Sequence, residues 1–421
     1  MILPGSESNR GKSKGKKAIL NRLLKYSDRV YDLKTLLRGI KDRREKPQIE
    51  TVAAVTSALV MALTHSGSLN ALEQTGGSAY WKDLIDGKLP SADTIGNIFS
   101  QLDCNGLRFT IRHIYTQLKR NKRLKSILPN GWFAVIVDGH ESSCSYHRCC
   151  AGCLTRVIHT SEGDRPQYYH RNVTAILLCK DFPLLLDIEE QRPGEDEVAA
   201  ATRLVERLLK NYPRAFDLVL ADGLYARAPF FTMVKSHGKE VIAVLKDDRR
   251  DLFQDAMGIF SSQPPTISQE DRTQKQCWDV EHFTTWTQLE KEVRVVRSLE
   301  TTTIRRQRNK ATELKESDWL WVSTASQAKL STNAVVTFGH KRWTIENECF
   351  NELASYWAVN HVYKHNPTAI TAFWLIIMLA YNLFHAFVCY NLKPQIRQGH
   401  TKDFFAQMIA AVLYFQPCRS P

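Results

Sequence analysis

Two aspartates stand where short apolar segments end. The segment WFAVIVDG, residues 132–139, is rich in Val and Ile and closes on Asp138 and a glycine. FDLVLADG, residues 216–223, repeats the pattern and closes on Asp222. Such runs are typical of buried strands, and open α/β sheets bind their ligands at the carboxyl ends of strands. We therefore expect Asp138 and Asp222 at one site.

A third acidic residue, Glu346, lies in GHKRWTIENECFNELASYW, residues 339–357. On a helix Arg342 and Glu346 share a face, because they are four residues apart. One interpretation is an ordinary ion pair, worth on the order of a few tenths of a kcal/mol. The other is a carboxylate directed toward the two aspartates, with Glu348 and Glu352 as substitutes. The predicted apolar stripe of this helix comprises Ile345, Cys349, Leu353 and Trp357.

Three carboxylates suit a divalent metal. Mg²⁺ or Mn²⁺ prefers oxygen ligands and keeps positions open for water and phosphate. Two such ions, about 3.5–4 Å apart, can activate an attacking oxygen and stabilise a leaving one. We predict that Asp138, Asp222 and Glu346 are both metal ligands and catalytic residues, and no covalent protein nucleophile is needed.

The composition of the chain limits its possible binding partners and cellular compartment. Among 421 residues, 57 Lys and Arg face 44 Asp and Glu, so the net charge of +13 favours a polyanion. Ten cysteines in a chain this long are not a disulfide scaffold, and residues 1–17 lack an apolar signal, so we expect a reducing cytosol. The apolar stretch 371–392 contains Asn382 and His385, and we interpret it as a buried core helix, not a membrane span.

The pattern of the chain predicts an α/β protein in which a mixed sheet is flanked by helices. Residues 1–17 form a basic flexible arm, either a solvated tail or a DNA contact. Residues 18–130 have helical spacing and are predicted to be an N-terminal DNA-binding domain. The catalytic core occupies 131–247 and 332–400, around a β-rich insertion at 248–331, and 401–421 is a C-terminal tail. A basic patch, which either contacts phosphate or is a solvated face, comprises Lys119, Arg120, Lys122 and Arg123.

Several motifs together resemble a known family. RWTIENECFNEL, VDGHESS, ADGLYARAPFF and the acidic helix segment between the two aspartates resemble the bacterial insertion-sequence DDE transposases. The resemblance is to the group whose last motif reads Tyr, two residues, Arg, three, Glu, six, Lys. It implies an RNase H-like core and cut-and-paste transposition, in which water frees a 3′-OH that then attacks target DNA. It further implies transposon-end and target double-stranded DNA as partners, a homodimer or larger assembly, and a place at the bacterial nucleoid in the cytoplasm.

Two positions of that motif differ. Gly339 and Leu353 stand where the family has Tyr and Lys. Arg342 matches, and the resemblance implies that Arg342, Lys341 and His340 contact DNA, with Lys364 as a further substitute. In similar transposases a tryptophan of the insertion holds a flipped base, and Trp286 is our choice over Trp278. The tryptophans predicted as core, because they alternate in a strand, are Trp319 and Trp321.

A cysteine-rich segment, CSYHRCCAGC, occupies residues 144–153. Cys150 and Cys153 have the spacing of half a zinc site. Similar transposases show Cys-x2-Cys-Leu followed by Tyr-Tyr-His, which implies structural Zn²⁺ on Cys150, Cys153 and His170. Cys149 or His147 would be the fourth ligand. The alternative is a cluster of buried free thiols.

Two other functions remain open at this stage. A protein derived from a transposase could bind DNA without cutting it, and a metal-dependent nuclease of the same fold would cut without joining. The intact carboxylates favour an active transposase.

Overall fold

The computed structural model describes residues 19–78, 80–85, 87–128, 131–246, 251–289, 291–306 and 312–414. The predicted arm, residues 1–17, lies outside them. The helical spacing predicted for residues 18–130 is confirmed, while the DNA-binding role of this region stays a prediction. Its helices are α1 (Ile19–Tyr31), α2 (Leu33–Arg38), α3 (Thr51–Leu63), α4 (Leu69–Glu73), α5 (Tyr80–Ile85), α6 (Ala92–Phe99) and α7 (Cys104–Arg120).

A large mixed sheet follows these helices. The strands of its first part are β1 (Ala134–Ser145), β2 (Leu154–Thr160), β3 (Gly163–Leu177), β4 (Leu184–Glu190), β5 (Leu218–Ala221) and β6 (Glu240–Val244). β3 pairs antiparallel with β1 and β4, whereas β5 runs parallel to β1 and β6. The resulting order β4-β3-β1-β5-β6 is consistent with an RNase H-like domain.

The segment predicted as a β-rich insertion continues the same sheet. It contributes α10 (Asp251–Ser261), β7 (Thr266–Glu270), β8 (Thr273–Phe283), β9 (Val293–Arg305) and β10 (Thr312–Ser323). β10 pairs antiparallel with β6, and Trp321 lies opposite Val244. β9 and β10 pair antiparallel with each other over most of their length. They extend the sheet because β10 pairs directly with the last parallel strand.

Helices cover the sheet and complete the core. They are α8 (Glu197–Asn211), α9 (Ala228–Ser236), α11 (Thr332–Lys341), α12 (Asn351–Tyr356), α13 (Pro367–Tyr390), α14 (Pro394–Gln398) and α15 (Lys402–Tyr414). A π-helical turn, Ile345–Phe350, connects α11 to α12. Every member of the apolar stripe predicted for this region, from Ile345 to Trp357, is buried.

The helix α13 lies at the centre of the molecule, packed against α3, α7 and β4. It is long and apolar enough to cross a membrane, but 94% of its most apolar window is buried inside the protein. Its polar residues have partners. Asn382 accepts a hydrogen bond from Leu185 N at 3.0 Å and donates to Leu185 O at 2.7 Å, and His385 pairs with Glu352 at 2.8 Å. The prediction of a buried core helix is confirmed.

Two elements differ from the expectation. β1 does not end at Asp138 but runs on to Ser145, because its second half pairs with β3 from Asp138 opposite Thr174 to Ser145 opposite Tyr168. Residues 402–414 of the predicted tail form α15. Helical spacing explains α15, since Phe405, Ile409 and Leu413 are buried and the helix packs against α1 and α3.

Candidate active site

Asp138 and Asp222 lie side by side on neighbouring parallel strands. The parallel register aligns Val137 with Ala221, the residues directly before them. Asp222 follows the end of β5 and begins a 3₁₀ turn at Gly223–Tyr225. The Asp138 carboxylate is 13% exposed and that of Asp222 is 36% exposed. The two carboxylates therefore reach the surface at one edge of the parallel strands.

Glu346 approaches this edge through Arg342. The Arg342 guanidinium Nη1 donates to Asp138 Oδ2 at 3.2 Å and to Glu346 Oε1 at 3.0 Å. The Arg342 side chain is 3% exposed, while that of Glu346 is 38% exposed, so the bridge is buried at Asp138 and open to water at Glu346. Glu346 sits in the π-helical turn, and such turns recur at functional sites. The i,i+4 ion pair and the approach to the aspartates, which the sequence offered as alternatives, occur together.

The site is short of positive charge. Burial, helped by the negative charges of Glu346, Glu197 and Asp222, raises the pKa of Asp138 to about 7 against the lowering effect of Arg342. Asp222 Oδ1 is a buried oxygen without a hydrogen bond among the described residues, and the Lys246 ammonium is 3.5 Å from it. Carboxylate oxygens are the ligands that a hard divalent cation prefers. Among the described residues those of Asp138, Asp222 and Glu346 do not all lie within 4.8 Å of one another, so a shared ion would have to draw them closer.

Glu197 is a fourth acidic residue here, and it begins α8, in the acidic helix segment between the two aspartates. Its carboxylate lies against Gly139, where a Cβ atom would come within 2.3 Å of Glu197 Oε2. Tyr225, in the turn after Asp222, donates to Glu197 Oε1 at 2.6 Å. The absence of a side chain at position 139 thus makes room for Glu197. In the sequence, the glycine after Asp138 indicates a close neighbour at this point, but it does not show that the neighbour is Glu197.

A cationic and aromatic group borders the carboxylates. The Trp343 ring lies 4.4 Å from the guanidinium carbon of Arg342 and 5.5 Å from the ammonium of Lys246. Both distances are typical of cation–π contacts. Lys246 follows β6, the strand beside β5, and is exposed. Sequence reasoning missed Lys246 and Trp343, because their place beside the site comes from strand order and the turn after α11.

The other residues of the last motif are placed differently. His340 Nε2 pairs with Glu300 at 2.8 Å, while Lys341 is exposed. A Cβ atom at Gly339 would come within 2.2 Å of the Trp321 indole, so the tyrosine of the family motif has no room here. Leu353, at the lysine position, is fully buried. Both departures from the motif therefore serve packing.

Other predicted contact residues lie further away. Trp286 packs edge-on against Phe231 at 5.2 Å and lines an open pocket of about 470 Å³ with Arg227 and Thr287. The carbon chain of Lys364 lies against Gly96 of α6. Of the predicted tryptophans, Trp321 is buried and stacks with Trp319. No contact of these residues with the carboxylates is observed among the described residues.

The basic patch lies at the opposite end of the strands. The ammonium of Lys119 donates to the carbonyl of Arg214, which precedes β5, and the Arg123 guanidinium lies 5.3 Å from the Tyr390 ring. Lys119, Arg120, Lys122 and Arg123 are all exposed. The sheet therefore separates this patch from Asp138 and Asp222.

A cysteine and histidine cluster stands beside the β2–β3 hairpin. Cys150 Sγ and Cys153 Sγ are 3.7 Å apart, and His170 Nε2 is 3.3 and 3.2 Å from them. The other ring nitrogen of His170 lies 3.0 Å from Glu190 Oε1. Cys149, predicted as a fourth ligand, is exposed, and its sulfur is not part of this group. Among the described residues, this is the only group of three possible metal ligands whose donor atoms all lie within 4.8 Å of one another.

Comparison with known proteins identifies the class. A family model described as the transposase DDE domain matches residues 134–383, from the first residue of β1 into α13. The chain belongs to this family, and its function is that of a DDE-type transposase. No curated protein matches the chain.

Proposed function

We propose that this protein binds the ends of an insertion sequence, cleaves them by metal-dependent hydrolysis and joins the freed 3′-OH ends to target DNA. Its relatives would be the bacterial transposases with the Tyr-Arg-Glu-Lys motif, and it would act at the nucleoid in the cytoplasm. The observation that carries the proposal is the meeting of Asp138 and Glu346 on one guanidinium, beside Asp222 on the next strand.

Asp138, Asp222 and Glu346 would hold Mg²⁺ or Mn²⁺. Asp222 Oδ1 accepts no hydrogen bond among the described residues, and burial with nearby negative charge raises the pKa of Asp138. Both features support this assignment, because a cation would satisfy the oxygen and stabilise the ionised carboxylate. When bound, such ions activate an attacking oxygen and stabilise the leaving one. Glu197 adds negative charge behind Asp138 but already accepts the Tyr225 hydroxyl, so we assign it a positioning role.

The cations around the carboxylates would bind DNA phosphates. Lys246 and Lys341 are exposed near Asp222 and Arg342, and phosphate contacts of this kind position a duplex without reading its sequence. Arg342 is held by two carboxylates, so it becomes available to a phosphate only when a cation takes over Asp138 and Glu346. Trp286 and His340 are proposed DNA contacts outside this set. A second copy of the chain would bring the distant patch around Lys119 to the same DNA.

We assign Zn²⁺ to Cys150, Cys153 and His170, with a structural role. Thiolate and imidazole donors on a tetrahedral ion are typical of structural zinc. The cluster lies outside the carboxylate group, so it takes no part in the reaction.

The test is a reaction with DNA that carries the element's own ends and an unlinked target duplex. Wild-type protein with Mg²⁺ should release the ends and produce joined target DNA. Cleavage without joining would show that the protein is a nuclease and not a transposase. Binding to the ends with no cleavage in Mg²⁺ or Mn²⁺ would make it a silent DNA-binding protein.

A further inference from the structure

The sulfur and nitrogen spacings in the cysteine cluster match a tetrahedral ion. Two thiolates that are each about 2.3 Å from such an ion stand roughly 3.8 Å apart, and Cys150 and Cys153 are 3.7 Å apart. His170 completes three corners of this arrangement, at 3.2 and 3.3 Å from the sulfurs. Structural zinc sites need a fourth protein ligand.

The surroundings of His170 are those of a metal ligand. Its Nε2 faces both sulfurs, and its Nδ1 lies 3.0 Å from Glu190 Oε1. A carboxylate behind the imidazole fixes the ring and its tautomer, an arrangement that recurs in zinc sites. His170 is 2% exposed, so this geometry is held by the interior of the protein.

A fourth donor lies on a remote segment of the chain. Gly152, in the turn between the two cysteines, packs so closely on Pro367 that a Cβ atom would be 3.0 Å from the proline Cγ and 3.6 Å from His170 Cε1. His365 is two residues before Pro367, and its Nδ1 is buried without a hydrogen-bond partner among the described residues. The residue as a whole is only partly buried, but this nitrogen is shielded from water and unpaired, and a metal ion would satisfy it.

Arg148 and His170 both act electrostatically on the His365 ring, so His365 lies in the neighbourhood of the cluster. His365 is outside the group of atoms that lie within 4.8 Å of one another, so its ring has to move to reach the fourth corner. Cys149, the neighbour of Cys150, is also outside this group, but its side chain is exposed, whereas the Nδ1 atom of His365 is shielded from water.

We propose that His365 is the fourth ligand of a Cys₂His₂ zinc site formed with Cys150, Cys153 and His170. The inference rests on the zinc assignment above and adds a function to it. His365 belongs to the segment that connects α12 to α13. The helix α12 directly follows the turn that carries Glu346. Zinc would fasten this segment to the β2–β3 hairpin.

A second contact fastens the same segment to the strand of the first aspartate. His140, two residues after Asp138, pairs through Nε2 with Asn360 Oδ1 at 2.9 Å. With zinc on His365, the segment would be held at two points, and Glu346 would be fixed in relation to Asp138. The site therefore acts on the geometry of the carboxylates without touching the DNA.

The first test is the metal content of the purified full-length protein. Mass spectrometry of wild-type protein should give one zinc per chain, and a competing chelator should give its affinity. Protein purified with zinc in the medium but free of zinc, or with Cys150 and Cys153 joined as a disulfide, would refute the zinc site itself. A Glu190→Gln variant should lower the affinity about 10- to 100-fold, because the second shell is weakened.

The second test isolates His365. His365→Ala should lower zinc affinity at least about tenfold, while Cys149→Ser and His147→Ala, the matched controls, should leave it unchanged. Circular dichroism would show that each variant is folded. Hydrogen exchange in residues 358–366 should accelerate on zinc removal in wild type and be fast already in His365→Ala. Unchanged affinity in His365→Ala, or a loss in Cys149→Ser instead, would refute His365 and leave the three-ligand site standing.

Discussion

The guanidinium of Arg342 lies between the carboxylates of Asp138 and Glu346, 3.2 Å from one and 3.0 Å from the other. Without metal, Arg342 neutralises the negative charge of these carboxylates. A cation bound by the same oxygens would neutralise it instead. On the proposed metal assignment, the Arg342 guanidinium and the metal would neutralise the same two carboxylates in turn.

The Arg342→Gln variant should be less stable than wild type by about 1–3 kcal/mol without divalent metal, because two partly buried carboxylates lose their counter-ion. Mg²⁺ should restore part of this stability, since an ion that binds only the folded state shifts the unfolding equilibrium. Thermal unfolding in EDTA and in Mg²⁺ measures both effects. Lys341→Gln, an exposed neighbour, is the control, and an equal deficit of Arg342→Gln in both buffers would count against shared occupancy.

Tyr225→Phe tests the placement of Glu197. The Tyr225 hydroxyl is fully buried and donates to a carboxylate at 2.6 Å, so its loss should cost about 1.5–3 kcal/mol of unfolding free energy. Cleavage should become slower but remain detectable, because Glu197 positions Asp138 and Tyr225 touches no DNA. Tyr146→Phe, on an exposed tyrosine, should change neither quantity. A Tyr225→Phe protein as stable as wild type would rule out the hydrogen bond.

Acid stability depends on an ion network between β4 and α8. Burial alone would raise the pKa of Glu189, but hydrogen bonds from Arg207 and Arg203 outweigh it and hold the pKa below 4.5. A lowered carboxyl pKa stabilises the fold above pH 4.5, and this contribution is lost as the pH falls below that value. Glu189→Gln should thus be destabilised by about 1–3 kcal/mol at pH 7, with a smaller deficit below pH 4.

Urea unfolding of Glu189→Gln and wild type across this pH range is the measurement. Glu206→Gln, an exposed acid of α8, provides the baseline. A deficit that does not change with pH would mean that the ionised form of Glu189 is not what stabilises the fold.

Gly339→Ala tests whether packing against Trp321 excludes a side chain at the position of the motif tyrosine. In an open helical position the change from Gly to Ala stabilises by about 0.5–1 kcal/mol. At Gly339 the new methyl would meet the Trp321 indole at 2.2 Å, so we expect a loss of about 1–3 kcal/mol instead. Gly258→Ala in α10, where no atom lies within 4 Å, is the matched control. Adding Trp321→Phe should recover part of the loss, and similar stability gains in both alanine variants would refute the packing argument.

Much of the fold could be predicted because local patterns agree with the structure. The run before Asp222 is a fully buried strand, and the acidic residues near Glu197 do begin α8. The end of β1 could not be predicted, since residues 139–145 are polar and become a strand only by pairing with β3. The helix α15 was predicted as a tail although Phe405, Ile409 and Leu413 have helical spacing, and packing on α1 and α3 buries that face.

The candidate site was predictable to the extent that it depends on strand ends and helix spacing. Asp138 and Asp222 were predicted from the apolar runs before them, although β1 continues past Asp138, and Glu346 was predicted from helix spacing. Cys150 and Cys153 were predicted from their separation along the chain. Lys246 and His365 carry no local signal, because each reaches its neighbours only through tertiary packing. The π-helical turn that bears Glu346 also could not be predicted, because no residue pattern in the sequence distinguishes it from an α-helix.

The most direct test of the carboxylate site is Mg²⁺-dependent cleavage of DNA ends by Asp138→Asn, Asp222→Asn and Glu346→Gln. Glu348→Gln is the matched control, since Glu348 is exposed two residues from Glu346 and lines a different pocket. Each of the first three variants should bind the ends as wild type does and fail to cut them, while Glu348→Gln should cut normally. Cleavage at the wild-type rate by any of the first three would contradict the assignment.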